Sequence, residues 1–318
     1  MLVLLGRSGY MGQAFEKALK ERGWAYIPLS RSQVDYTQFD ALYKFLKKTK
    51  ATQVLNAAGF TGLNIDACEK DWSTTLLANA MFPAQAAHAC SALGIPFGHV
   101  STGCIYNGAK IALDGQERLE LNLNRPEIRQ LLEQNPAAIR GFTEEDEPNF
   151  SFRHPPCSFY SGAKVLAEEA IKSVGKTYIW RLRIPFDQFD QPKNLLTKLQ
   201  AYPKVQDTVN SISHRGDFVN ACLELWEKKA PFGIYNVTNP GWLTNRRIIE
   251  LIQKTLKPPR AFEFWPVDED FSKMGVRAPR STNILDVSKL LAAGVKMRPV
   301  EEAVVDALEK WTPRTTAS

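Results

Sequence analysis

Tyr160-Ser-Gly-Ala-Lys164 sets a phenol and an ammonium four positions apart, so on a helix both side chains project from one face. Such a pair can protonate a carbonyl: the cation lowers the phenol's hold on its proton, and the phenol donates to the oxygen as hydride reaches the carbon. A source of hydride is written at the other end of the chain. Gly6-Arg7-Ser8-Gly9-Tyr10-Met11-Gly12 fits a GxxGxxG loop, which permits a tight turn, a close approach of backbone to pyrophosphate and close helix packing. The N–H groups at the start of the following helix would receive the phosphates. After the next apolar run comes Ser30-Arg31-Ser32, where a carboxylate would repel a 2′-phosphate and an arginine accepts one. With Arg7 in the loop, this favours NADP over NAD; the competing account of either arginine is an ordinary solvated surface residue.

These groups need a scaffold that brings distant segments together. Leu2 to Leu5 reads as a buried strand, followed by the glycine turn and a helix with Phe15, Ala18 and Leu19 on one face. Ala25 to Leu29, Gln53 to Ala58, Pro96 to Thr102, Tyr178 to Ile184 and Gly233 to Val237 read as further strands. Helical stretches lie between them at about 39–46, 74–93, 163–172 and 218–228. Alternation of this kind predicts an α/β fold, a Rossmann-type doubly wound parallel sheet with a smaller mixed α/β substrate lobe. The boundaries read as 1–185 plus 211–239 for the cofactor domain, and 186–210 plus 240–318 for the lobe. Residues from about 107 to 149 are polar, charged and broken by proline, and are expected to cross the surface as an insertion with one short helix at Pro126 to Gln134.

Composition narrows the function. The formal charge of +6 and pI near 9.0 come from cations scattered among acids, which suits an anionic small molecule; neither a basic stripe nor a nucleic-acid reader motif is present. Five cysteines without a CxxC pair disfavour a disulfide framework or a zinc site, and four dispersed histidines point to no metal. No apolar run approaches the ~20 residues that span a bilayer, and the N-terminal apolar run is too short for a signal segment. The expectation is a cytoplasmic protein with no nucleic-acid or membrane partner.

With the glycine loop upstream, Tyr160 and Lys164 lie between a strand ending in Ser101-Thr102 and one ending in Arg183-Ile184-Pro185, and in this order the chain resembles the extended short-chain dehydrogenase/reductases. Asn56-Ala57-Ala58-Gly59 and Ser101-Thr-Gly-Cys104-Ile-Tyr106 sit where dTDP-4-dehydrorhamnose reductases carry strand-end motifs. Those enzymes usually have Asp-Tyr where this chain has Gly103-Cys104, and the Thr-Gly-Cys-Ile version is similar to the plant-type bifunctional nucleotide-rhamnose synthases. Phe142 to Phe150, Pro192-Lys-Asn-Leu-Leu-Thr-Lys198, Tyr235 to Gly241 and Ala278-Pro-Arg280-Ser281 extend the likeness along nearly the whole chain. The stretch from about 107 to 140 departs from it.

The resemblance implies NADP(H) as cofactor and a nucleotide-linked 4-keto-6-deoxy sugar as substrate. It gives Thr102, Tyr160 and Lys164 the reduction. Cys104 and Lys198 become the groups that move protons at C3 and C5, acidic because the C4 ketone delocalises the carbanion. Ala57, Ala58, Gly59, Asn79, Ile184 and Pro185 join the glycine loop against the cofactor; Thr61, Asn194 and Arg280 face the sugar nucleotide, Arg280 as a bidentate partner of the diphosphate. A homodimer is also implied. Competing accounts stay open: Cys104 as a small buried strand-end residue, Lys198 as a surface lysine, Asn79 as a helix-surface residue, Arg280 paired with an acid of the tail lobe. For the whole chain the alternatives are a reductase without epimerisation and a non-catalytic nucleotide-binding subunit.

Overall fold

The computed structural model describes residues 1–113, 115–257, 260–266 and 277–314. Six parallel strands form the main sheet: β1 (Leu2–Leu5), β2 (Tyr26–Leu29), β3 (Gln53–Asn56), β4 (Phe97–Thr102), β5 (Thr177–Leu182) and β6 (Gly233–Asn236), in the order β6-β5-β4-β3-β1-β2. Every residue of β1 is buried because helices cover both faces and successive side chains alternate between them. Leu2 and Leu4 pack with Phe15, Trp180 and Phe218 beneath the helices Tyr10–Glu21 and Arg215–Glu227. Val3 and Leu5 pack with Leu42, Leu46, Ala86 and Phe97 on the opposite side, beneath Phe39–Lys48 and Phe82–Ala92. The chain leaves β1 for β2 on one side and returns to β3 on the other, and a crevice opens at the carboxyl ends of strands where the winding reverses. The glycine loop and residues 57–61 sit there.

The helix expected at 74–93 spans 72–92 and widens to a π-type turn at Leu77–Met81. Pro83 explains the widening, since it has no N–H for the carbonyl of Asn79 and its ring crowds that oxygen. The turn aims Asn79 inward, where it is fully buried. A second core, with Phe186, Leu195, Leu196, Leu199, Ile248, Ile252, Val304 and Leu308, is built from the helices Leu195–Ala201, Asn245–Thr255 and Val300–Glu309. Of the lobe read from the sequence, residues 258–259, 267–276 and 315–318 lie outside the described residues.

The insertion is more ordered than its polar sequence suggests. Ala109–Leu113 and Gln116–Glu120 pair as an antiparallel hairpin, Ile139–Arg140 adds a third strand, and Pro126–Gln134 is the expected helix. Ile111, Leu123, Ile128 and Leu132 bury their side chains against Val209 and Ile284 from other parts of the chain, a core that no local periodicity reveals.

Candidate active site

Gly6 adopts a φ of +79°, and a Cβ there would overlap the backbone at Ala58; a Cβ on Gly12 would overlap the Gly6 carbonyl oxygen. The Gly9 N–H closes the turn onto that carbonyl at 3.0 Å, and Gln13 donates to the Ser8 carbonyl at 3.3 Å. Helix Tyr10–Glu21 begins with Gly9 as an N-cap without a side-chain bond and with no acid in its first turn, leaving its first N–H groups open to an anion. Met11 is buried, and the Tyr10 ring lies 4.2 Å from the guanidinium of Arg215, itself paired with Asp187 at 2.7 Å. Beside the loop, the Ala57 N–H donates to the Leu5 carbonyl at 3.0 Å and the Ala58 N–H to Asn56 Oδ1 at 2.9 Å. Asn79 grips the next turn through both the N–H and the carbonyl of Phe60, at 2.9 and 2.7 Å, and a Cβ on Gly59 would meet its Oδ1 at 3.0 Å. Arg7 pairs with Glu16 at 2.9 Å, and Arg31 is exposed on the turn after β2.

Thr102 ends β4 and caps the short turn Gly103–Ile105, its Oγ1 accepting the Cys104 N–H at 3.1 Å. The hydroxyl proton stays available for a neighbouring oxygen. Ser158 caps helix Phe159–Ile171, and Ser161 donates to the Cys104 carbonyl at 2.8 Å, so the helix that carries Tyr160 and Lys164 also fastens the cysteine turn. Burial drives the Tyr160 phenol well above its ordinary range; Cys104 pushes the same way, and Thr102 and Arg183 act against it. Against the lowering expected from Lys164, burial is the dominant influence on the phenol. The Lys164 Nζ points to the Val100 carbonyl at 3.0 Å and to His99 Nε2 at 3.5 Å, and burial lowers the amine to about 8, with Glu168 pulling upward.

The feature missed from the sequence is Arg183. Its Nη1 donates to Cys104 Sγ at 2.8 Å and to Ser281 Oγ at 3.0 Å, and its Nη2 donates to Asn210 Oδ1 and to the Ser281 carbonyl at 2.6 Å. It is only 2% exposed, and among the described residues no carboxylate pairs with it. Arg181, two residues earlier on β5, instead holds the buried Glu168 through Nε and Nη2, and Glu168 accepts from Ser101. Two arginines within a buried apolar strand were the available signal, since a fully buried arginine needs a partner. Ile184, next along, holds a φ of +34°, a strained conformation for a β-branched residue, and Pro185 then pairs with Ser213. Asn283 donates to the carbonyls of Gly103 and Tyr106 at 2.8 and 2.7 Å, tying the tail to the cysteine turn.

Lys198 lies among a second group of cations. Burial lowers its amine, followed by the cations Lys193 and Arg280 beside it. Lys193, also missed, is lowered by burial and donates to Thr61 Oγ1 at 3.3 Å. Arg280 pairs with Asp66 of helix Asp66–Lys70 at 2.8 Å and not with an acid of the tail, and its Nη1 is buried without a partner among the described residues. Three cations thus face one carboxylate, which suits a diphosphate. Asn194 does not join them, contrary to expectation. Its Oδ1 caps helix Leu195–Ala201 and its Nδ2 donates to Asp187 and Phe189, so it positions the helix bearing Lys198 and has no group left for a sugar nucleotide.

No helix among the described residues is long and apolar enough to cross a membrane. The chain is similar to a bifunctional dTDP-4-dehydrorhamnose 3,5-epimerase/dTDP-4-dehydrorhamnose reductase of Arabidopsis thaliana, 28% identical over 305 residues, covering 95% of this chain and 90% of that protein. A trifunctional UDP-glucose 4,6-dehydratase/UDP-4-keto-6-deoxy-D-glucose 3,5-epimerase/UDP-4-keto-L-rhamnose-reductase of the same plant is also 28% identical over 305 residues, which are 95% of this chain; the chain spans 41% of its length. The crystal structure of a UDP-rhamnose synthase from Acanthamoeba polyphaga mimivirus superposes with a TM-score of 0.80 at 21% identity, over 97% of this chain and 98% of the other. A dTDP-4-dehydrorhamnose reductase from Bacillus anthracis in complex with NADP gives 0.72 at 17% identity, over 98% and 97%. Residues 1–312 match the family model described as RmlD substrate binding domain, and the chain belongs to that family.

Proposed function

We propose that this protein is an NADPH-dependent reductase of nucleotide-linked 4-keto-6-deoxy sugars that first epimerises C3 and C5, taking NDP-4-keto-6-deoxyglucose to NDP-L-rhamnose. The observation that carries the epimerase part is the contact of Arg183 with Cys104 beside Tyr160. Arg183, which has no carboxylate partner among the described residues, donates to the Cys104 sulfur and fixes it beside Tyr160, and a thiol that trades a proton serves as acid or base at a carbon next to the ketone.

The glycine cradle, with Gly6 and Gly12 leaving no room for a Cβ and the open N–H groups of the first helix, fits a dinucleotide, and Arg31 fits a 2′-phosphate. Gly6 to Gly12, Ala57 to Gly59, Asn79, Ile184 and Pro185 would hold it; NADPH supplies the hydride for C4. Thr102 donates its hydroxyl proton towards O4, and Tyr160, kept protonated by burial, gives its proton to O4 as the carbonyl is reduced. Before that, Cys104 removes or returns a proton at one carbon, and Lys198, its amine lowered by burial, does the same on the opposite face. Lys193 and Arg280 receive the diphosphate.

Cys104→Ala tests this reading. It should abolish rhamnose-nucleotide formation from the unepimerised ketone and keep reduction of the already epimerised one. If wild-type protein reduces only the latter, epimerisation is wrong. One observation favours that simpler reductase: Lys198 is flanked by the cations Lys193 and Arg280, company that suits it to holding the diphosphate.

A further inference from the structure

A buried polar chain runs from the cofactor crevice to the catalytic lysine. The Ala58 N–H donates to Asn56 Oδ1 at 2.9 Å, which fixes the orientation of the Asn56 amide. Its Nδ2 therefore faces His99 Nδ1, at 3.1 Å, and only a bare Nδ1 can accept that N–H. Asn56 and His99 are both fully buried, so the imidazole is neutral; burial holds it well below its usual range, and the nearby Lys164 pushes the same way. A neutral ring with a bare Nδ1 carries its proton on Nε2, the atom 3.5 Å from Lys164 Nζ, at the outer edge of hydrogen-bond range.

Lys164 already donates to the Val100 carbonyl. An ammonium would set N–H against the His99 N–H, whereas a neutral amine meets it with a lone pair. Accommodating the ammonium requires His99 to move its proton to Nδ1 and Asn56 to reverse its amide, which gives up the bond from Ala58. The other groups acting on the lysine are Glu168 on its own helix and Cys68 from the helix Asp66–Lys70, and both favour the charged form. Glu168 is itself held by Arg181 and Ser101, which limits its pull.

We propose that His99, oriented by Asn56, is a positioning residue that favours the neutral amine of Lys164 and thereby sets the alkaline limit of carbonyl reduction. The pH-profile part of the test rests on the reductase reading above; the tautomer part does not.

The tautomer is read from long-range proton–nitrogen correlations of the histidine rings in wild-type protein at about pH 9.5, where Lys164, its amine lowered to about 8, is neutral, with His99 assigned by its loss in His99→Leu. A proton on Nε2 supports the proposal, and a proton on Nδ1 or on both nitrogens overturns it. The pH profile of kcat for NADPH-dependent reduction of a dTDP-4-keto-6-deoxy sugar is then compared among variants. His99→Leu should move the alkaline limb up by about one pH unit, a tenfold difference in the charged fraction above the limb. Asn56→Asp, which accepts at both oxygens and so demands a proton on Nδ1, should move it the same way, and by less when His99 is already leucine. An unmoved limb in both single variants overturns the proposal; if one of them does not fold, the other and the wild-type spectrum decide. Protein that reduces no 4-keto sugar yet carries the Nε2 proton refutes the reductase reading, and the alkaline-limit part of the proposal with it, and leaves only the Asn56–His99–Lys164 tautomer part standing.

Discussion

Alanine in place of each loop glycine should produce three different losses, because the three positions are glycine for different reasons. At Gly6 the φ of +79° costs a residue with a side chain about 1–2 kcal/mol, and overlap with the Ala58 backbone adds about 1–3 kcal/mol. Gly6→Ala should therefore destabilise by roughly 2–5 kcal/mol. At Gly12 the backbone is helical, so only the overlap with the Gly6 carbonyl oxygen counts, roughly 1–3 kcal/mol. At Gly9 the nearest atom to an added Cβ is the same oxygen at 3.3 Å and φ is −74°, so a shift of a few tenths of an ångström relieves it and the cost stays below about 1 kcal/mol. Thermal unfolding reads the series at about 2 °C per kcal/mol for a chain of this size. Titration with NADPH, followed by nicotinamide fluorescence, should show binding lost in Gly6→Ala and Gly12→Ala and weakened in Gly9→Ala. Equal losses at Gly9 and Gly6, or wild-type NADPH affinity in Gly6→Ala, would refute the argument that this turn is shaped for a dinucleotide.

Other consequences follow from the buried charges. Glu168→Leu leaves Arg181 unpaired in the core and should cost about 3–5 kcal/mol in urea unfolding, whereas a loss below 1 kcal/mol would mean water reaches the guanidinium. Lys164 needs its proton to support negative charge near Tyr160, and with its amine near 8 the reduction rate should level off below that pH and fall about tenfold per unit above it. A rate that keeps rising past pH 9 would contradict that role. Lys193→Ala should raise KM for the sugar nucleotide at least tenfold, the loss of one charge-assisted hydrogen bond, with NADPH affinity unchanged. Equal weakening of both ligands would place Lys193 elsewhere.

What the sequence disclosed was local. The loop Gly6 to Gly12 and the pair Tyr160 and Lys164 have their spacing within one turn or helix, and the alternation of apolar runs ordered the strands. The contacts that give Cys104 its surroundings are not local. Arg183 reaches it across 79 positions, and Asn283 ties the same turn from 180 positions away, distances over which no periodicity carries information. Residue type misled where backbone demand decided: Asn194 looked like a ligand donor and is spent on a helix cap, because an amide beside a helix start satisfies N–H groups that would otherwise be buried without partners. The protonation of Tyr160 depended on burial, which a one-dimensional pattern of Tyr and Lys does not encode. The strands Ala109–Leu113 and Gln116–Glu120 escaped notice because only Ala109 and Ile111 are apolar and buried, against the distant Val209 and Ile284, while the second strand is exposed up to Glu120.

The most direct test of the central claim is one incubation in heavy water: the purified chain alone, NADPH, and the unepimerised dTDP- or UDP-4-keto-6-deoxyglucose, with the product examined by NMR. The account predicts NDP-L-rhamnose carrying deuterium at C3 and C5 and the cofactor's hydrogen at C4. No rhamnose nucleotide, or a product without deuterium at those carbons, would contradict it.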